Sequence, residues 1–285
     1  MPNVRQSEPW WEASLLVACR KPAHKRAVPL LFDSELRAMR RDRAARSGAE
    51  LFLHVRAFED CLERIAVMQR PFQRALLIGC PDPAWPEQLR SLAAQVEVRE
   101  PGHLFASQAA GQAIIEDTWE PREGAFDLVL AIGTLDTVND LPLALRLIRY
   151  SMAPDALFIG AFSGGETLPQ LRAAMRAADA LTGTAAPHVH PRVEASALAP
   201  LLSSAGFANP VVDIERVPVS YRSLDGLVRD LRAMGATNIL TARPRFIGKA
   251  GYAAAAQAFG DASDEDRTTE TFEILHFAAW TPNNA

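Results

Sequence analysis

Residues 126–162, FDLVLAIGTLDTVNDLPLALRLIRYSMAPDALFIGAF, decide the fold. FDLVLAIG (126–133) is a short apolar run between charged and polar residues, as in a strand buried on both faces. LPLALRLIRYSM (141–152) repeats its apolar positions at helical spacing, and ALFIGAF (156–162) is a second buried strand. Strand, helix and strand in this order form the unit of a parallel sheet.

The same alternation runs outward in both directions. Upstream, RALLIG (74–79) reads as a buried strand, with a helix from Pro86 to about Ala94. VEVRE (96–100) is a strand, a short helix follows near 103–110, and AIIE (113–116) is a third strand. Downstream, helices are expected over 167–181 and 194–207, the second stopped by Gly206. NPVVDIERV (209–217) and TFEILHFAAW (271–280) close the pattern as an antiparallel pair, with helical material at 223–235 and 249–260 between them. Two helices precede the sheet. LFDSELRAMRRDRAAR (31–46) is capped by Asp33 or Ser34, and a second helix spans 51–69. Residues 1–30 read as an irregular arm whose Trp10 and Trp11 pack on the body. The division is an arm with helices over 1–70, an α/β core over 71–217 and 271–285, and a helical insertion over 218–270.

Composition sets the outer limits. The chain has 285 residues, 48% of them apolar, enough for one large α/β domain. Thirty Lys and Arg against 34 Asp and Glu give a net charge of -4, which argues against wholesale nucleic-acid binding. No apolar run reaches the roughly 18 residues that a membrane span needs. Cys19, Cys61 and Cys80 supply neither a disulfide framework nor a zinc motif, so a reducing, cytoplasmic setting is expected. The first residues lack a charged and then long apolar leader pattern, and Glu8 and Glu12 speak against a transit peptide.

In such a sheet, ligands bind outside the carboxyl ends of the strands at the switch point. A nucleotide-type ligand there wants a glycine-rich turn after the first strand. GCPDPAWP (79–86) keeps only Gly79, and Pro81, Pro83 and Pro86 remove three N–H donors. A plain structural turn explains it as well. Glu100 ends the second strand, where a carboxylate accepts ribose hydroxyls in dinucleotide sites. Glu116 and Asp117 end the third, as adenine partners or as an ordinary charged loop.

This succession of strand, loop, acidic strand end, acidic pair and FDLVLA resembles the class I S-adenosylmethionine-dependent methyltransferases of the type 11 kind. LFDSELRAMRRDRAAR, GGETLPQLR (164–172), PHVHP (187–191), LLSSAGF (201–207) and DLRAMGATN (230–238) are similar to a narrower group. That group holds methyltransferase-fold proteins that assist mitochondrial respiratory complex I assembly and their bacterial relatives. The carboxyl methyltransferases of biotin synthesis are more distant. The likeness runs from about residue 31 to 280. It implies a Rossmann-like seven-stranded sheet in the order 3-2-1-4-5-7-6, the last-but-one position antiparallel. It also implies S-adenosylmethionine as cofactor. Gly79 and Cys80 fall on the family's first motif, Glu100 on its ribose-binding acid, and Glu116 or Asp117 on its adenine-side acid. Ile132 borders the cleft at the end of the fourth strand. Pro81, Asp82 and Pro83 displace the motif's next two glycines, so cofactor binding is expected to be weak or absent. Asp136 and Thr137 stand where the family often carries His-Trp.

On the substrate side the candidates are His188, Tyr221 and Glu166. His188 and His190, two apart on an extended segment, point the same way. A metal would need a third ligand, which no pattern supplies. Arg37, Arg40, Arg41, Arg43 and Arg46 form either a solvated helix face or a surface that docks an acidic protein. Two functions stay open. One is an enzyme that modifies a protein or a carrier-bound carboxylate, a reading that includes the arginine hydroxylation associated with the narrower group. The other is a non-catalytic assembly or binding protein that has lost the cofactor.

Overall fold

The computed structural model describes residues 30–183, 185–242 and 246–283. Trp10, Trp11 and Cys19 lie outside the described residues. From Leu31 onward the chain forms one compact unit.

The helices ahead of the sheet are α1 (Ser34–Ser47) and α2 (Phe52–Val67). Asp33, not Ser34, caps α1, its carboxylate accepting from the Leu36 N–H at 2.8 Å. The core then runs β1 (Phe72–Ile78), α3 (Trp85–Leu89), β2 (Ala93–Glu100), α4 (His103–Gln108), β3 (Gln112–Ala113) and β4 (Phe126–Ile132). It continues through α5 (Leu141–Ser151), β5 (Met152–Ser163), α6 (Pro169–Thr182), α7 (Ala195–Ser204) and β6 (Ala208–Tyr221). Helices α8 (Leu224–Ala233) and α9 (Gly248–Asp261) lie between β6 and β7 (Thr268–Trp280). The sheet order is β3-β2-β1-β4-β5-β7-β6. Strands β1 to β5 pair in parallel, and β7 is antiparallel to both β5 and β6. This is the expected Rossmann-like α/β sheet.

The alternation of side chains along the central strands explains why both faces are covered. Leu76, Ile78, Val129, Ala131 and Phe158 face one core, beneath α5 and α7. Leu77, Leu128, Leu130, Leu157 and Ile159 face the other, beneath α2 and α3. There Trp85 stacks on Phe58 of α2, ring centroids 4.2 Å apart and planes within 5°. An aromatic pair of this kind adds about 0.5–1.5 kcal/mol beyond its buried area.

Two elements are shorter than their sequence suggests. The helix expected from Pro86 to about Ala94 stops at Leu89, because β2 already starts at Ala93. The strand expected over 113–116 is only Gln112–Ala113. Beyond it the chain turns so that Glu116 meets an arginine of α1.

Candidate functional site

The strand order reverses between β1 and β4, and the crevice at their carboxyl ends is built from the loops that follow them. Gly79 leaves β1 at φ +83, and a Cβ on it would stand 2.2 Å from the Ile132 carbonyl oxygen. Only glycine fits there. The prolines leave residues 79–86 five backbone N–H donors, and four of these are used inside the chain. Gly79 N–H donates to the Arg99 carbonyl, Cys80 N–H to Glu100 Oε2, Ala84 N–H to Asp82 Oδ1 and Trp85 N–H to the Asp82 carbonyl. The turn thus serves to plant Trp85 on Phe58 and offers little to an incoming anion.

Glu100 is fully buried at the end of β2. Its Oε1 accepts from Arg41 Nε and, at 2.8 Å, from the Gly102 N–H. Its Oε2 accepts from Arg41 Nη2 at 2.8 Å and from the Cys80 N–H at 2.7 Å. A carboxylate has about four lone-pair sites, and all are occupied. Glu116, equally buried, accepts Arg37 Nη1 and Nη2 at 2.8 Å each, and Arg37 Nη2 also donates to the Thr134 carbonyl at 2.7 Å. Burial works to discharge Arg37, but Glu116 outweighs it and holds the guanidinium pKa above its ordinary value.

Arg37 and Arg41 stand one turn apart on α1, so one helix face delivers both guanidinium groups. This corrects the expectation of a solvated or partner-docking face for these two. Arg43 and Arg46 do face solvent, while Arg40 donates to Thr237 Oγ1. A close seat lets the helix in. A Cβ on Gly102 would lie 2.8 Å from Arg41 Cβ.

S-adenosylmethionine, which the fold implies, does not fit these residues as they stand. Glu100 has no lone pair left for ribose, Glu116 is held on both oxygens by Arg37, and the turn has spent four of its five N–H donors. Asp117 is engaged elsewhere, accepting the Asp140 N–H at 2.9 Å.

On the other side of the crevice, Ile132 and Gly133 border a cavity of about 100 Å³ between α2, β4, β5 and the end of α8. Its walls are mostly apolar, with His54, Asp136, Ser163, Thr167, Arg192 and Glu273 as the polar exceptions. Asp136 is ion-paired with the Arg192 guanidinium. His54 also lines a smaller adjoining space of about 50 Å³ with Arg37 and Arg41. Burial, with Arg41 nearby, lowers the His54 pKa to about 4, so its imidazole is neutral at pH 7.

The remaining candidates are dispersed. His188 Nε2 lies 2.9 Å from Asp179 Oδ1. His190 Nε2 instead accepts the Ile239 N–H at 2.8 Å, so the pair does not act on one side together. Burial, reinforced by Arg192, lowers the His190 pKa to about 4. Tyr221 is buried in the apolar cluster of α6, α8 and α9. Glu166 is exposed, its N–H donating to Glu273, and Glu273 is the carboxylate that reaches the cavity. Burial raises the Cys80 thiol pKa well above its usual range and pushes Cys61 up to about 12, so neither is a thiolate at neutral pH. Among the described residues, no group of three or more His, Cys, Asp and Glu is placed to hold a metal. No helix among them is long and apolar enough to cross a membrane.

No family model matches the chain. The zebrafish protein named arginine-hydroxylase NDUFAF5, mitochondrial, is 30% identical over 269 residues, covering 90% of this chain and 84% of the relative. The malonyl-[acyl-carrier protein] O-methyltransferase of Xylella fastidiosa is 30% identical over 164 residues, covering 57% of this chain and 54% of the relative. Among solved structures, the YcgJ protein of Bacillus subtilis superposes with a TM-score of 0.53 at 11% identity, over 77% of this chain and 98% of that one. That likeness speaks to the fold. The sequence match covers more than four fifths of both proteins. The chain belongs to the NDUFAF5 family of methyltransferase-fold proteins.

Proposed function

We propose that this chain is a methyltransferase-fold factor that acts on a protein partner in the assembly of respiratory complex I, and that it binds S-adenosylmethionine weakly or not at all. One observation carries the cofactor part: Arg41 and Arg37 occupy Glu100 and Glu116 through two bidentate pairs. To seat a nucleoside, the chain would have to withdraw two buried guanidinium groups and leave α1 without its main anchors. Breaking one buried pair costs about 3–5 kcal/mol, a large share of what a small ligand returns. The assembly part is supported by the NDUFAF5 relatives, whose name describes action on arginine. It comes to this chain by family membership. The cytoplasmic setting belongs to the same proposal, on the strength of the sparse cysteines.

The test has two arms. Calorimetric titration of S-adenosylmethionine into the wild-type chain should give no saturable binding below about 1 mM. Tight binding would overturn the cofactor part. Deleting the gene in its own organism should deplete assembled complex I on native gels, with rescue by the wild-type gene. Unchanged complex I would overturn the assembly part. A reading as a conventional methyltransferase has Glu100 in its favour, since the family's acid is present at its place. The same titration decides between the two.

A further inference from the structure

A groove of about 350 Å³ runs along α6, lined by its Arg172, Met175 and Arg176 and by His188, Val189 and Pro191 of the segment that follows. Side chains hold that segment in place. Asp179 of α6 accepts the Ala186 N–H at 3.0 Å and lies 2.9 Å from His188 Nε2. Asn238 Nδ2 donates to the Pro187 and His188 carbonyls at 2.8 and 3.1 Å. Arg172 Nη2 donates to the His190 carbonyl at 3.1 Å, and Arg172 Nε to the Thr167 carbonyl at 3.2 Å. The groove is therefore built before any ligand arrives, which lowers the ordering cost of binding.

Its charge is out of balance. Two arginines of its lining stand against one aspartate, a positive surplus on a chain whose net charge is -4. Asp179 is already engaged by Ala186 and His188. Arg172 spends two of its nitrogens on carbonyls, and neither it nor Arg176 makes an ion pair among the described residues. Arg176 is exposed one turn further along the same face of α6. Burial, followed by the influence of Arg192, lowers the Arg172 pKa from its ordinary value, and Glu166 and Glu194 do not make up the difference.

We propose that this groove seats an acidic segment of the protein partner, its carboxylate pairing with Arg172 and Arg176 while a neighbouring apolar side chain packs on Met175, Val189 and Pro191. The proposal rests on the reading that the chain acts on a protein. A guanidinium fork matches a carboxylate in geometry as well as charge. The position suits a docking site. His188 and Val189 also wall an inner space of about 120 Å³, which shares Leu168, Leu231, Arg192 and Ala236 with the cavity beside β4 and β5. A segment seated in the groove is thus anchored beside the crevice.

The probes are three pentapeptides with acetylated and amidated ends: Leu-Glu-Leu-Glu-Leu, Leu-Gln-Leu-Gln-Leu and Ser-Glu-Ser-Glu-Ser. Each is titrated into the full-length protein at pH 7 and followed through backbone amide NMR shifts. The first should bind at least about tenfold more tightly than either of the others, with shifts at Arg176 and Val189. Arg176→Glu, a change at an exposed side chain, should abolish the preference for Glu over Gln. Equal binding of the Glu and Gln peptides, equal binding of the Leu and Ser peptides, or a preference that survives Arg176→Glu would each overturn the proposal. So would a single-stranded oligonucleotide that binds more tightly than the first peptide and is lost in Arg176→Glu, because the arginines would then serve phosphates. The native-gel experiment fails separately. Unchanged complex I in the deletion strain, beside a Glu-selective groove, sinks the assembly reading alone. Depleted complex I beside an unselective groove sinks the docking site alone.

Discussion

The two halves of the crevice treat polar groups in opposite ways. At the ends of β2 and β3, Glu100 and Glu116 are buried, and each is clamped by a guanidinium from one helix. At the ends of β4 and β5, a mostly apolar cavity stays open, with His54, Asp136, Arg192 and Glu273 among its walls. The first half has been closed by the chain's own residues, and the second has been left available. The same sheet geometry supports both, so the difference lies in what α1 delivers. Its buried positions are Arg37, Arg41 and Ala44, and only one of them is apolar. The helix is held mainly by charge-assisted bonds, with Phe32 and Leu36 as a small apolar anchor against Ile239 and Leu240.

The contrast can be broken most severely at its closed half. Replacing Arg41 by Ala leaves a carboxylate buried with only two backbone donors, and should cost about 3–5 kcal/mol in a denaturant titration. A loss under about 1 kcal/mol would mean that Glu100 is not held as described.

Acid probes the other half. His54 and His190 both have folded pKa values of about 4, below the unfolded value of 6.5. Between those limits the unfolded chain binds more protons than the folded one. These groups therefore leave stability flat above pH 6.5 and reduce it as pH falls toward 4. Their share should be on the order of a few kcal/mol, seen as proton uptake on unfolding at pH 5. A variant with both histidines replaced by Gln should lose that uptake. Equal uptake by this variant and the wild-type chain would show that neither histidine is buried neutral.

A smaller effect tests the seat of α1. Asp33→Ala removes the N-cap bond to Leu36 and should cost about 1 kcal/mol by thermal melting. The exposed Glu87–Arg90 pair of α3 serves as the control. Glu87→Ala should change stability by less than about 0.5 kcal/mol, because both groups are largely in solvent.

Much of the sheet was legible because buried strands write themselves as short apolar runs. Ile78, Leu130 and Ile159 all sit in such runs, and the ends of those runs located Glu100 and Glu116. The edge strand β3 was harder. Glu116 looked like its last residue, but Arg37 draws Glu116 out of the strand. The closure itself could not be read from α1. Five arginines on one helix look alike in sequence, and only the tertiary fold shows that Arg37 and Arg41 turn inward. Their spacing of four, on a helix with almost no apolar face, was the available signal. His54 and Arg192 gave none. The first is carried in by α2 and the second by the long connection before α7, and no local pattern marks either as facing a cavity.

The closing of the crevice by α1 is tested most directly by a double-mutant cycle on Arg41 and Glu100. Arg41→Met, Glu100→Gln and the double variant would be unfolded in denaturant alongside the wild-type chain. The expected coupling energy is at least about 2 kcal/mol, with the double variant recovering much of what either single change loses. Losses that add to within about 0.5 kcal/mol would show that the two side chains do not meet in solution, and would contradict the closure.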